Sequence, residues 1–314
     1  MVGREQGALK SSAGPTIAVL LAAHNGYPWI EAQVASIQAQ AHVDVSIFVS
    51  VDSSTDETFE WCRVYAQHHA NLTLLPAVSL GSASQNFFRL FRDVTLDGFD
   101  YVALSDQDDI WDDLKLHRAV QALDSKGVQA YSSNVTAFWA DGREALIDKA
   151  QPQVKWDHYF EAAGPGCTYV FSKGLATAFR NLLLAHEDEV QQVSLHDWCL
   201  YAFARSRGFT WYIDPVTSMR YRQHAENVVG ANVGLASLYA RFRKISAGWW
   251  FAQVFLMIRL FGQQEMGLLK KQATPGFREY LFIALNFTRC RRRMRDKLFL
   301  LLVCIYCAFT RRPR

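Results

Sequence analysis

Short apolar runs alternate with amphipathic helical patterns through the first third of this chain, and that alternation restricts its architecture more than any other feature. Ile17–Leu21 leads through the turn residues His24-Asn25-Gly26 to a helical pattern over residues 29–40, with Ile30, Val34 and Ile37 on one face. Val45–Val51 leads through Asp52–Asp56 to a helical pattern over 57–69, and Leu72–Leu75 to one over 83–94 carrying Phe87, Phe88, Leu90 and Phe91. A fourth run, Tyr101–Leu104, ends in Ser105-Asp106-Gln107-Asp108-Asp109, and another helix starts near Asp112. Strands recurring between helices predict an α/β chain with a mostly parallel central sheet flanked by helices. Farther on, residues 166–171 and 209–213 read as strands, and 173–184 and 196–206 as helices.

Such a sheet binds ligands outside the carboxyl ends of its strands. Three carboxylates, Asp106, Asp108 and Asp109, stand at one such end. Unpaired charges there are costly. A divalent cation bound to a diphosphate would remove the cost, and carboxylate oxygens are suited to Mg or Mn. An acidic turn leading into the next helix is the structural alternative.

Charge divides the chain in two. Residues 1–240 hold 17 Lys/Arg against 27 Asp/Glu, whereas residues 241–314 hold 16 against 3. The basic region faces an acidic partner, either anionic membrane or nucleic acid. It contains the cluster Arg289–Arg295 and two short apolar runs, Trp249–Leu260 and Leu298–Phe309, the second 12 residues long. A spanning helix needs about 20 apolar residues. The expectation is therefore helices lying in the membrane interface, Arg outward and Trp/Phe inserted; a helical subdomain packed on the enzyme or on another subunit is the alternative. No nucleic-acid motif accompanies the tail, and its apolar content favours lipid.

The six cysteines form no disulfide framework or paired zinc pattern, and Cys304 and Cys307 read as packing residues. Residues 1–15 are polar and Gly/Ser-rich, a disordered leader without the apolar stretch of a signal peptide. Reduced thiols in the cytosol are expected.

Taken in order, the motifs resemble the inverting glycosyltransferases of family 2, which have the GT-A fold, and among them the bacterial rhamnosyltransferase-type enzymes of surface polysaccharides such as O-antigen. The resemblance covers about residues 16–232. It rests on Leu20–Gly26, Val51–Asp56, Gly81 through Asn86-Phe87, Ser105–Trp111, His196-Asp197-Trp198, and Tyr221–His224 with Asn227. It implies a glycosyltransferase domain over 16–236, with a basic amphipathic helical extension over 237–314. It also implies that Asp52 contacts the base of the nucleotide, a role that competes with helix capping. His24, Asn25 and Asn86 fall in nucleotide-sugar-binding segments, although His24 also reads as a turn histidine. By the same resemblance Asp106 lies near ribose and metal, Asp108 binds the metal bridging the phosphates, and Arg222 and His224 donate to phosphate oxygens or lie in a surface loop. Asp109 stands near the acceptor or in the metal shell, with capping equally open, and Trp111 stands near the acceptor. Asp197 matches the catalytic acid motif, where a carboxylate removes the acceptor hydroxyl's proton, and it also reads as a helix cap; Trp198 beside it is a candidate for stacking on a sugar.

The expected enzyme moves a sugar, with L-rhamnose as the candidate, from a dTDP- or UDP-sugar to a growing, lipid-linked glycan. It would act at the cytoplasmic face of the inner membrane, peripherally, as a monomer or a homo-oligomer. A nucleotidyltransferase shares the D-x-D chemistry, but the first strand is not followed by a Gly-rich loop with Arg or Lys to hold a triphosphate. A nucleic-acid-binding protein is the non-enzymatic rival.

Overall fold

The computed structural model describes residues 14–224, 248–262, 264–270 and 275–310. Of the expected leader only Gly14 and Pro15 are described, and the domain boundary at 236 and Asn227 lie outside the described residues.

The strands are β1 (Thr16–Ala23), β2 (Asp44–Val51), β3 (Leu72–Leu74), β4 (Tyr101–Ser105), β5 (Ile110–Trp111), β6 (Ala130–Ser133), β7 (Val135–Trp139), β8 (Glu144–Ile147), β9 (Val170–Ser172), β10 (Trp211–Asp214) and β11 (Met219–Gln223). The helices are α1 (Ile30–Gln38), α2 (Thr58–His68), α3 (Ala83–Asp93), α4 (Lys115–Lys126), α5 (Asp157–Phe160), α6 (Lys173–Ala185), α7 (Glu187–Val190) and α8 (His196–Ser206). After the undescribed stretch come α9 (Trp249–Phe261), α10 (Gly267–Lys270), α11 (Phe277–Leu285), α12 (Phe287–Cys290) and α13 (Met294–Thr310).

Seven strands form the main sheet in the order β10-β6-β9-β4-β1-β2-β3. All neighbours run parallel except β9, which is antiparallel to β4 and β6. The parallel register decides where the site lies. Ala23 pairs with Val51, and Leu21 with Ser105, so the loops after β1, β2 and β4 emerge along one edge. Apolar residues fill both faces of β1, as a central parallel strand covered by helices requires. Residues 166–171 were expected as one strand. Instead Gly166–Thr168 closes a helical turn, with Tyr169 N–H donating to Gly166 O at 2.9 Å, and only Val170–Ser172 joins the sheet.

A second sheet, β5-β11-β7-β8, has no counterpart in the sequence reading. Met219 pairs with Trp111 and Arg220 with Ile110, which returns the chain to the acidic motif more than 100 residues later.

The C-terminal helices are not a separate appendage. Phe251, Val254, Phe255 and Ile258 of α9 share one buried core with Leu200 and Phe203 of α8 and with Phe87 and Phe91 of α3. Gln253 fastens α9 to the approach to α8, accepting from Ser194 N–H at 2.9 Å and donating to Gln192 O at 3.0 Å. The expectation that Trp/Phe of this helix insert into membrane therefore does not hold for its buried face. Nor do all the arginines point outward. Arg292 Nη1 lies 3.1 Å from Asp157 Oδ2, with neither side chain exposed, and Arg291 donates to Phe160 O at 2.7 Å. These buried charges are paired with Asp157 and Glu161, which come from the α/β domain some 130 residues earlier. Among the described residues no helix is long and apolar enough to cross a membrane.

Candidate active site

Three loops are stitched together at the sheet edge. Asn25 adopts a left-handed backbone (φ 49°), which Asn tolerates better than most residues. Its side-chain oxygen accepts from Thr55 N–H at 2.8 Å and its own N–H donates to Ser54 Oγ at 3.0 Å, joining the loops after β1 and β2. Asn86, buried on α3, donates to both Ala23 O (3.1 Å) and Ser50 O (3.0 Å), clamping the ends of β1 and β2. For Asn25 and Asn86 the contacts present are thus scaffolding ones.

Asp52 accepts three backbone N–H groups, from Ser53 (2.8 Å), Leu80 (2.7 Å) and Gly81 (2.8 Å). Gly81 has φ +76°, a conformation suited to glycine that lets two successive amides face the carboxylate. A carboxylate offers about four lone-pair positions, so about one remains for a base N–H.

The acidic motif is tied to the first loop by Gln107. Its amide donates to His24 O at 2.8 Å and accepts from His24 N–H at 2.5 Å, so it is the backbone of His24 that is engaged. Gly26 makes room for this: a Cβ there would lie 2.5 Å from Gln107 Oε1. Beneath the motif, Gln33 of α1, in the amide orientation that suits its neighbours, accepts from Ser105 Oγ and Trp111 Nε1 and donates to Asp109 O. Trp111 is 2 % exposed, with the Lys115 ammonium 3.6 Å from its ring centre. It is a buried support and presents no face to an acceptor, which corrects the sequence expectation.

The carboxylates themselves are crowded. Burial, then Asp108 and Asp197, push Asp106 up to about 7. Burial, then Asp108 and Asp106, hold Asp109 well above the ordinary carboxylate range. One oxygen of Asp109 accepts from Arg222 N–H at 3.0 Å; the other is buried without a hydrogen-bond partner. Oxygens of Asp106 and Asp109 and the sulfur of Cys167 all lie within 4.8 Å of one another. Sequence reasoning missed Cys167, which nothing but the fold brings to Asp109. Burial and the two acids push its thiol well up, leaving it protonated and a poor ligand for a hard cation. The carboxylates fit such a cation: crowded like charges and one orphaned oxygen are what a divalent ion would relieve.

Strand β11 brings the remaining groups. Arg222 Nε donates to Asp108 O at 2.7 Å, and His224 Nε2 lies 2.6 Å from Asp108 Oδ2 with its ring stacked on Trp29. The expected late-loop residues are therefore on the acidic motif and not in a detached surface loop.

Asp197 enters at the first turn of α8. Burial pushes its carboxyl up to about 6, partly offset by the Trp198 N–H and by Lys149. Its charge adds, after burial and Asp108, to the rise at Asp106. His196 supports it: the ring stacks on Phe87 at 3.8 Å and burial pushes it down to about 3, so it is neutral near pH 7. Trp198 is 3 % exposed and donates its indole N–H to His158 O at 3.0 Å. It is packed inward and cannot stack on a sugar, a second correction. Further along α8, Tyr201 donates to Asp157 at 2.8 Å, the carboxylate that also holds Arg292.

Comparison with known proteins points one way. A family described as "Glycosyltransferase like family 2" matches residues 15–221. A protein of Shigella flexneri called dTDP-rhamnosyl transferase RfbG is 40% identical over 287 residues, covering 91% of this chain and 99% of its own length. Among solved structures, S. aureus TarS 1-349 in complex with UDP-GlcNAc superposes with TM-score 0.54 at 13% identity, covering 94% of this chain and 93% of that one. A mannosyltransferase of Pyrobaculum calidifontis, PcManGT, solved with GDP-Man and Mn2+, gives TM-score 0.50 at 15% identity, covering 95% and 82%. At such identities the structures establish a shared GT-A fold and nothing finer.

Proposed function

The chain belongs to the glycosyltransferase-like family 2 and uses a nucleotide-sugar; from that premise we propose that it moves L-rhamnose from dTDP-rhamnose to a lipid-linked cell-surface glycan, with inversion and with a divalent cation. The donor reading is supported by 40% identity to a dTDP-rhamnosyl transferase across nearly the whole of both chains. The mechanism is supported by one observation: the Gly166-Cys167 turn lies against both acids, since a Cβ on Gly166 would be 3.1 Å from Asp197 Cβ and the Cys167 sulfur is within 4.8 Å of oxygens of Asp106 and Asp109.

Asp197 acts as base. With its carboxyl near 6 it is ionised at neutral pH yet basic enough to take a proton. It accepts the proton of the acceptor hydroxyl while that oxygen bonds to the anomeric carbon. The bond from that carbon to the diphosphate oxygen breaks on the opposite face, releasing dTDP; attack opposite the leaving group is what inverts the centre. Asp106 and Asp108 would hold Mg or Mn, with His224 steadying Asp108 and with Asp109, whose unpartnered oxygen belongs to the same cluster as Asp106, as a further ligand. When bound, the ion neutralises charge on the departing diphosphate. Arg222, drawn to the motif through Asp108 O and Asp109, would donate from its guanidinium to phosphate oxygens. Asp52 keeps its remaining lone pair for the thymine N–H.

Donor hydrolysis with purified protein and Mn2+ tests the assignment. dTDP-rhamnose should be turned over at least about tenfold faster than UDP-GlcNAc or GDP-mannose, the scale of a specific pocket. Equal or reversed rates would remove the rhamnosyl reading and leave the family assignment standing.

A further inference from the structure

The last helix is apolar on two opposite sides, and only one of them is used. Leu300, Val303, Cys304 and Cys307 of α13 are buried against the protein. On the other side Met294, Leu298, Leu302, Ile305, Tyr306 and Phe309 recur at helical spacing and are 44–75% exposed. A helix apolar all round is expected to be covered all round. The neighbouring α11 continues the surface with Phe277, Leu281 and Leu285, also exposed and spaced by four. Phe277 and Phe309 meet edge to face at 5.9 Å, so the two stripes join and the helices run antiparallel. Nine large side chains in one patch exceed the scattered apolar exposure normal for a soluble surface.

We propose that this two-helix face is where the protein lies on an anionic lipid bilayer, its apolar side chains in the headgroup–acyl boundary and its cations on the headgroups. Charge selects this occupant over a second copy of the chain. Arg278, Arg289 and Arg295 are exposed on the same helices and their connection. Residues 275–314 carry 10 Lys/Arg against 2 Asp/Glu. A two-fold contact between copies would set these cations against each other, whereas anionic headgroups neutralise them. Mode and depth also agree: no described helix spans a bilayer, and α13 has only 17 residues. The docking element is thus the α11–α13 pair, not the Trp-rich α9, whose apolar face is already in the core. The proposal is independent of donor identity, because nothing in it involves the active site.

Flotation of the full chain with vesicles tests it. Phosphatidylglycerol-containing vesicles should carry the protein at low salt, and pure phosphatidylcholine vesicles at least about tenfold less. Leu302→Gln with Phe309→Gln should weaken binding about tenfold and abolish the salt-resistant fraction. Arg278→Gln with Arg295→Gln should weaken it more at low salt than at high. All variants should keep wild-type donor hydrolysis, which shows that they fold. Failure of the active wild-type protein to float overturns the proposal. So does a concentration-dependent dimer in ultracentrifugation that Leu302→Gln dissolves, since the face would then belong to a second copy.

Discussion

His224 Nε2 sits 2.6 Å from Asp108 Oδ2, with the imidazole flat on Trp29 at a ring separation of 4.2 Å. The residues are 116 positions apart, and the pairing of β11 with β5 brings them together. The contact fixes one orientation of the carboxylate that should meet the cation.

His224→Ala should therefore lower the affinity for Mn2+ by about 10–100-fold, the usual cost of losing a group that orients a metal-binding carboxylate. Titrating donor hydrolysis with Mn2+ reads this as a higher half-saturating concentration, with rates recovering at high metal. Unchanged metal dependence would show that the pair is only structural.

A second consequence concerns Gly26. In Gly26→Ala the new Cβ displaces the Gln107 amide, and with it two hydrogen bonds to the backbone of His24. The loss should be about 1–3 kcal/mol in urea unfolding. Adding Gln107→Ala to Gly26→Ala should cost nothing more, because both remove the same contact. Fully additive losses would contradict this coupling.

Protonation links the acidic cluster to stability. Asp106 (about 7) and Asp197 (about 6) have raised values in the folded state. A raised carboxyl contributes stability that is present below its unfolded value and lost as pH rises through the folded one. Metal-free protein should lose this contribution between about pH 4 and pH 7. A cation binds the ionised forms, so the rise in Tm given by Mn2+ should be larger at pH 8 than at pH 5.5. An equal rise at both would mean that Asp106 does not hold the ion.

Arg292 and Asp157 form a fully buried pair. Removing one partner of such a pair typically costs about 3–5 kcal/mol. Arg292→Ala should therefore lower Tm by several degrees. Because Asp157 also holds Tyr201 of α8, four residues beyond Asp197, activity should fall too. A chain ending at residue 236 should aggregate, since it would bare the core contacts now covered by α9. A soluble, stable truncation would show that the C-terminal helices are dispensable.

What the sequence displayed and what it hid follow from the range of the interactions. Strands β1 to β4 announce themselves by apolar runs closed by turn residues, and their carboxyl-end loops locate Asp52, Asp106, Asp108 and Asp109. Strand β11 does not, because Met219–Gln223 alternates without a long apolar run and exists through its pairing with β5 and β7. Aromatic identity misled at Trp111 and Trp198: a sequence gives the ring but not the side of the wall on which it lies. Cys167 joins Asp109 across 58 positions, and Arg292 meets Asp157 across 135. A basic cluster read locally faces solvent, and only its distant acids reveal that two of its charges are buried.

The central claim is that Asp197 takes the acceptor's proton in an inverting transfer. Asp197→Asn tests it most directly, with dTDP binding by calorimetry and turnover of dTDP-rhamnose measured on the same Mn2+-loaded sample. The account predicts nucleotide affinity within about twofold of wild type and transfer slower by about 10²-fold or more, the scale of a lost general base. Transfer at the wild-type rate with intact binding would contradict it and move the base to another carboxylate of the acidic cluster.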